Sequence, residues 1–148
     1  MSTTRRSIIG SLLLGALLAG ALPVQAQDAP RVAPEGLVNH WILLNTKVDA
    51  DIPNSGHNLD KPVCAAIKYT VGSDGVPLNV EVAKVVPQSD LGTVGEGIVK
   101  RFRYGPSLSN QHAIPVDTYY VISFNLPTDP AQAKQITDAC RLPGYAAS

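Results

Sequence analysis

The sequence predicts a small α+β fold in which helices pack on a three-stranded antiparallel sheet of spatial order 2-1-3. Two segments with a residue period of two flank a glycine-containing turn, which is the pattern of a β-hairpin. A segment of helical period follows, and a third alternating segment comes after it. A right-handed crossover through that helix lays the third strand beside the first. All neighbouring strands are then antiparallel, and the third strand is an exposed edge.

The N-terminal segment has the pattern of a secretory signal peptide. Arg5 and Arg6 precede an apolar run at residues 8–22, and small residues then end at Ala26, the predicted cleavage point. The run is shorter than the roughly 20 residues that a spanning helix needs, so an uncleaved anchor is the less favoured alternative. With residues 1–26 removed, we expect a periplasmic or secreted protein without a stable membrane anchor.

The composition of the remaining chain fits one domain. Removal of the signal peptide leaves 122 residues with ten Lys or Arg and twelve Asp or Glu. This balance does not supply the basic surface that nucleic-acid binding requires, so that class of function is excluded. Residues 27–33 are polar, small and proline-bearing, and predict a disordered lead-in. Residues 34–148 are then the domain.

Two cysteines, Cys64 and Cys140, lie in the exported part of the chain. An even number of thiols in an oxidising compartment is most simply paired, so we predict one disulfide. It closes a loop of about 76 residues, for which chain-entropy models give roughly 4 kcal/mol of stabilisation. Two buried free thiols are the alternative.

The first segment of the domain, residues 34–48, predicts a helix. Its apolar residues stand close to helical spacing, and Pro34 suits a first-turn position. The continuous run "WILL" within it also suits a buried strand. Residues 49–62 are polar residues and helix breakers, and predict a loop.

The hairpin follows directly. In "VCAAIKYTV", Ile67, Tyr69 and Val71 share one face of a strand, and "GSDG" at residues 72–75 turns the chain. Residues 76–86 alternate again and predict the returning strand.

The helical segment after the hairpin carries its apolar residues in one stripe: Leu91, Val94, Ile98, Val99 and Phe102. Ser89 or Asp90 is available as the N-terminal cap. Three glycines, at 92, 95 and 97, each cost up to ~1 kcal/mol relative to alanine. Tertiary packing therefore has to hold this helix, and the glycines allow it to lie close on the sheet.

Cations cluster at the predicted end of this helix. Lys100, Arg101 and Arg103 complement the negative end of the helix dipole, and Gly105-Pro106 stops the helix. Docking of an acidic partner on these cations is the alternative interpretation.

The third strand is the longest alternating run. Its core face comprises Val116, Thr118, Tyr120, Ile122, Phe124 and Leu126. The opposite face carries Tyr119 and Val121 among polar residues, which predicts contact with water or a partner. Pro115 and Pro127 bracket the run, as is typical of an edge strand. Residues 129–140 predict a short capped helix that carries Cys140 back towards Cys64, and a tail follows.

These pieces in this order resemble the TonB C-terminal domain of periplasmic energy transducers and its stand-alone relatives. The matching pieces are the strands "AAIKYTV" and "LNVEVAKV" around "SDG", the helix end "VKRFRYGP", and the strand "IPVDTYYVISFNL". They cover residues 63–126. The resemblance implies a domain that grips an extended peptide, supplied in the transducers by an outer-membrane receptor, along the edge of its last strand. It also implies core anchors at Phe102 and Tyr104.

Strand addition at an exposed edge is consistent with this implied mode, because unpaired amides and carbonyls accept an incoming strand. The partner-binding residues carried over are Val116, Thr118, Tyr119, Tyr120, Val121, Ile122 and Ser123. Tyr119 is expected to be exposed, either as a cross-strand neighbour or as a contact. The chain departs from the transducers in its cleavable-looking signal and in having no long spacer. These departures argue against energy transduction, although a link to TonB-dependent transport remains part of the expectation.

No catalytic, metal or cofactor site is predicted. The histidines, at positions 40, 57 and 112, show no paired ligand spacing. Ser55, His57 and Asp60 lack a nucleophile motif, and the aspartates of residues 49–60 lack the closing glutamate of a calcium loop. A self-associating structural protein, in which the same edge pairs with its own copy as a homodimer, is the first alternative function. A small secreted enzyme is the second.

Overall fold

The computed structural model describes residues 28–146, so the predicted signal peptide lies outside the described residues. It confirms an α+β protein with small antiparallel sheets and few helices. In chain order the elements are a first 3₁₀ helix (Pro34–Asn39), β1 (Trp41–Leu43), β2 (Val63–Val71), β3 (Pro77–Val86), α1 (Leu91–Lys100), β4 (Tyr104–Pro106), a second 3₁₀ helix (Leu108–Asn110), β5 (Val116–Phe124) and α2 (Pro130–Asp138). Within the described range, no helix is both long and apolar enough to cross a membrane.

The main sheet is built around β2, which pairs antiparallel with β3 on one side and with β5 on the other. Residues 63–67 of β2 are wholly buried, as expected of a strand whose two faces are both covered. The β2–β5 pairing runs without a shift from Val63↔Phe124 to Val71↔Val116, whereas the β2–β3 pairing shifts register at two points. The backbone N–H and C=O groups of successive β5 residues therefore point alternately towards β2 and away from it, without interruption.

Helix α1 covers one face of this sheet, which we call the core face. A Cβ added at Gly95 would stand 2.8 Å from Ile122 Cγ2, and one added at Gly92 would stand 2.6 Å from Val85 Cγ2. These two glycines therefore allow the close approach that the sequence predicts. Gly97 faces open space. At the C-terminal end of α1, Arg103 Nη1 donates to the carbonyl of Lys100 at 3.1 Å, which confirms a helix-end role for this cation.

The C-terminal segment covers the opposite face, which we call the second face. The predicted disulfide is confirmed, with the sulfur atoms of Cys64 and Cys140 2.00 Å apart. The predicted capped helix is confirmed as α2, where the Asp129 carboxylate accepts a hydrogen bond from Gln132 N at 2.8 Å. Cys64, Cys140 and Tyr119 form a small buried cluster beneath it. The disulfide is compatible with a periplasmic or extracellular location.

The helix predicted at residues 34–48 is wrong. Only a 3₁₀ helix forms at Pro34–Asn39, and the alternative strand is found at β1, paired antiparallel with β4. Trp41 is 1% exposed, and its Nε1 donates to Ile114 O at 3.1 Å. Pairing with a distant strand and burial of the indole override the local helical spacing.

In the lead-in expected to be disordered, residues 30–33 are paired with β5 or with the C-terminal segment. Arg31 forms a parallel bridge with Asp117 of β5, and Val32 forms one with Ala146. Val32 is 4% exposed and belongs to the main core, so burial of an apolar side chain accompanies the backbone pairing. The C-terminal tail is likewise part of the fold up to Ala146, whose backbone bonds those of Arg31 and Ala33.

Candidate functional site

The outer edge of β5 is defined by the direction of its backbone groups. Asp117 N donates to Pro30 O and Asp117 O accepts from Val32 N, both at 2.9 Å, so both polar groups of Asp117 point away from β2. In an antiparallel ladder this direction alternates from residue to residue. Tyr119, Val121 and Ser123 therefore point outward too, while the even-numbered residues of β5 direct their backbone groups to β2.

The first part of this edge is occupied by the chain itself. Residues 30–32 run parallel to β5 beside Asp117, and the Thr118 hydroxyl donates to Val32 O at 2.8 Å. Ala146 pairs in turn with the outer side of the lead-in, since its carbonyl accepts a hydrogen bond from Ala33 N at 2.8 Å. The expectation of a free edge along all of Val116–Phe124 is thereby corrected. The unpaired N–H and C=O groups of an edge strand can pair with any extended segment, and here the lead-in is that segment.

Two features end this internal pairing. In the parallel register set by Arg31 and Asp117, the amide of residue 34 would donate next, to Tyr119 O, but Pro34 has no N–H. The carbonyl that would accept from Tyr119 N, that of Val32, bonds the Thr118 hydroxyl. Within residues 28–146, the outward groups of Tyr119, Val121 and Ser123 have no backbone hydrogen-bond partner. We call these groups the open edge.

The side chains of the predicted partner-binding residues are mostly covered. Val116 and Thr118 are fully buried, and Ile122 packs against the main core. Tyr120, on the core face, is 38% exposed and lies edge-to-face on Phe102 at 5.2 Å between ring centroids. Binding along β5 would therefore depend on backbone groups more than on these side chains.

Tyr119 is not exposed, contrary to the prediction for this residue. It is 3% exposed, and its ring packs at 4.9 Å from that of Tyr145. On the same face, Ser123 Oγ lies 3.1 Å from Thr137 Oγ1 of α2. The alternation of β5 correctly separates two faces, but the C-terminal segment covers the second one.

Two grooves flank the open edge, and both are lined by Pro34, Tyr119 and Tyr120. The polar groove, of about 170 Å³, lies towards the second face and includes Glu35, Val121, Thr137 and Arg141. The apolar groove, of about 260 Å³, lies towards the core face and includes Leu37, Val38, Trp41, Ile42, Leu43, Tyr69 and Tyr104. A strand laid on the open edge would have one groove on either side.

An ion-pair cluster marks the polar groove. Arg141 Nη1 lies 2.6 Å from Glu35 Oε1, and Arg141 Nε lies 3.2 Å from Asp138 Oδ1. A backbone hydrogen bond, and then the bond from Arg141, lower the pKa of Glu35. Bonds from Lys134 and then Arg141 lower the pKa of Asp138. Because these side chains are exposed, the pairs are exchangeable at small cost.

The other residues considered from sequence are dispersed. His40 ends the first 3₁₀ helix. His57 lies in the loop before β2, where its backbone N–H donates to Asp90 Oδ2 at 2.8 Å. Arg101 pairs with Asp51 at 2.5 Å, so this cation has an intramolecular partner. In the described range, no three His, Cys, Asp or Glu side chains converge as a metal site.

Comparison with known proteins adds no family assignment, since no protein-family model matches the chain and no curated protein shows significant similarity to it. The functional interpretation therefore depends on the geometry of the open edge and its two grooves.

Proposed function

We propose that this protein is a periplasmic or secreted binding module of the TonB C-terminal type, which takes up an extended peptide or protein strand along β5. The observation that carries the proposal is the open edge, where the outward amides and carbonyls of Tyr119, Val121 and Ser123 lack backbone partners among the described residues. Such a row supplies main-chain hydrogen bonds to an added strand.

The pairing of the lead-in supports this mode of recognition. Residues 30–32 are held on the same strand by two backbone hydrogen bonds of 2.9 Å, which is strand addition within one molecule. A partner strand would continue the same layer from Tyr119 onward. It would meet the open edge at the point where Pro34 turns the chain away.

The sheet arrangement also supports the proposed type. The order β3-β2-β5, with α1 between β3 and β5 in sequence, leaves the last strand at the edge. The resemblance makes a segment of an outer-membrane receptor the expected partner, and a connection with TonB-dependent transport the expected context. The proposed activity is recognition, without catalysis, cofactor or metal.

The test is removal of one outward donor. In Val121→Pro the N–H that faces outward is lost, while the bonds of β5 to β2 come from the even-numbered residues and remain. Val121→Thr is the matched control, since it keeps the N–H and the β-branched shape. Peptides selected from a displayed random decapeptide library on the full chain should bind Val121→Pro roughly tenfold more weakly, as expected for the loss of one hydrogen bond, and Val121→Thr almost normally.

Hydrogen exchange locates the contact. A bound peptide should slow amide exchange at Tyr119, Val121 and Ser123, with circular dichroism confirming that each variant is folded. Equal binding by the proline variant, or protection confined to other elements, would contradict strand addition at β5. If instead light scattering shows a dimer that Val121→Pro dissociates, a second copy of the chain is the partner.

A further inference from the structure

The lead-in shows to which side of the sheet the successive side chains of a strand paired with β5 point. Val32 points to the core face, where it is 4% exposed within the main core. Its neighbour Arg31 lies towards the second face, where it lines a cavity of about 410 Å³ together with Lys68, Asp117 and Tyr145. Consecutive residues on this edge thus meet an apolar side and a charged side in turn.

The two grooves continue this division beyond Pro34. On the core face, the apolar groove offers the exposed side chains of Val38 and Ile42 to a ligand side chain. On the second face, the polar groove offers Glu35 and Arg141. Because the side chains of a strand alternate with a period of two, neighbouring residues of one ligand would enter different grooves.

We propose that the strand bound at the open edge carries apolar side chains at alternate positions with a basic side chain between them, the apolar ones in the apolar groove and the basic one on Glu35. This inference rests on the proposed function and names its ligand class.

The preference for a basic over an acidic ligand side chain follows from the ion pairs of Arg141. This guanidinium contacts both Glu35 and Asp138, at 2.6 and 3.2 Å. A basic ligand side chain that takes Glu35 leaves Arg141 with Asp138, so every charge keeps a partner. An acidic side chain on Arg141 would instead leave Glu35 unpaired. The Arg31-Val32 pair of the lead-in has the same basic-apolar order.

The test reads position preferences from the displayed decapeptide library, selected on the full chain. The enriched peptides should have apolar residues at positions i and i+2 and Lys or Arg at i+1. Glu35→Lys should reverse the charge preference at i+1, by roughly fivefold for an exposed ion pair. The matched control is Glu96→Lys, which makes the same charge change on α1, outside both grooves, and should leave the preference unchanged.

A second variant tests the apolar side. Val38 lines the apolar groove and is 60% exposed, so Val38→Asp should keep the fold while removing the apolar preference at i and i+2. Enrichment without a period of two, or a charge preference that Glu35→Lys leaves unchanged, overturns the inference. The proposed function survives that result if the peptides still lose affinity for Val121→Pro. If they bind Val121→Pro equally well, the proposed function fails as well.

Discussion

At the scale of single residues, two tyrosine hydroxyls satisfy each other inside the core. Tyr69 of β2 and Tyr104 of β4 are both buried, and their hydroxyl oxygens lie 2.6 Å apart. Burial raises the pKa of Tyr104 to about 12, and burial also raises the pKa of Tyr69 well above its usual range. The alternation of the sequence correctly places Tyr69 on the core face. The hydroxyl pair depends on where β4 lies, which local spacing does not show.

This pair predicts a loss of stability at alkaline pH. An unfolded tyrosine ionises near pH 10, whereas Tyr104 in the folded protein has a pKa of about 12. The stabilising contribution is therefore complete below pH 10 and is lost as the pH rises towards 12, to a maximum of about 3 kcal/mol for this residue. Urea unfolding measured from pH 8 to 11.5 checks it.

The control for this prediction is the double variant Tyr69→Phe/Tyr104→Phe, which removes both ionisable groups together and leaves no hydroxyl unpaired. Its free energy of unfolding should fall less steeply over the same pH range. A decline as steep as that of the unchanged protein would assign the alkaline loss to other groups.

At the scale of elements, periodicity predicts the strands and helices whose pairing partners are close in sequence or whose apolar pattern is long. The strands β2 and β5 and the helix α1 follow their apolar alternation and stripe. The short β1 does not, because its pairing partner is β4, about 60 residues further on. A three-residue strand with Trp41 fully buried gives no period that distinguishes it from a helix, so only the assembled fold decides its structure.

Alanine substitutions at two glycines of α1 distinguish the effect of packing on stability from the effect of helix propensity. Gly97→Ala places a methyl group in open space and should raise the free energy of unfolding by about 0.5–1 kcal/mol. Gly95→Ala gains the same propensity but places its Cβ 2.8 Å from Ile122 Cγ2 and 3.2 Å from Ile67 Cδ1. Overpacking costs about 1–3 kcal/mol, so the net effect should be a loss of about 1 kcal/mol.

Each glycine variant serves as the control for the other, because both make the same chemical change in one helix. Chemical denaturation of the two proteins side by side gives the comparison. If both substitutions stabilise equally, α1 does not lie as close to the sheet at Gly95 as described.

At the scale of the whole molecule, the two ends of the described chain decide how much of the candidate site is accessible. The strand β5 is visible in the sequence. Its occupation by residues 30–32 and the burial of Tyr119 under Tyr145 are not, because polar, proline-containing segments carry no periodic pattern. The sequence therefore predicts the strand that carries the candidate site, but not which part of its edge is free.

The disulfide between Cys64 and Cys140 links the C-terminal segment covalently to β2, beside the packing of Leu142 and Tyr145 on the second face. None of the nine residues of α2 is buried, and its apolar contact with the cluster on the second face comes from the partly buried Ile136. In Cys64→Ala/Cys140→Ala we expect a global loss of roughly 4 kcal/mol for a link that spans 76 residues. We also expect faster amide exchange in α2 than in α1, because α1 keeps its buried apolar stripe. Release of α2 would remove Thr137 and Arg141 from the polar groove and leave Glu35 without its ion pair, so bound peptides should keep or strengthen their preference for a basic side chain while binding along the open edge persists. Amide exchange in α2 that stays as slow as in α1 would show that packing, and not the covalent link, holds this helix in place.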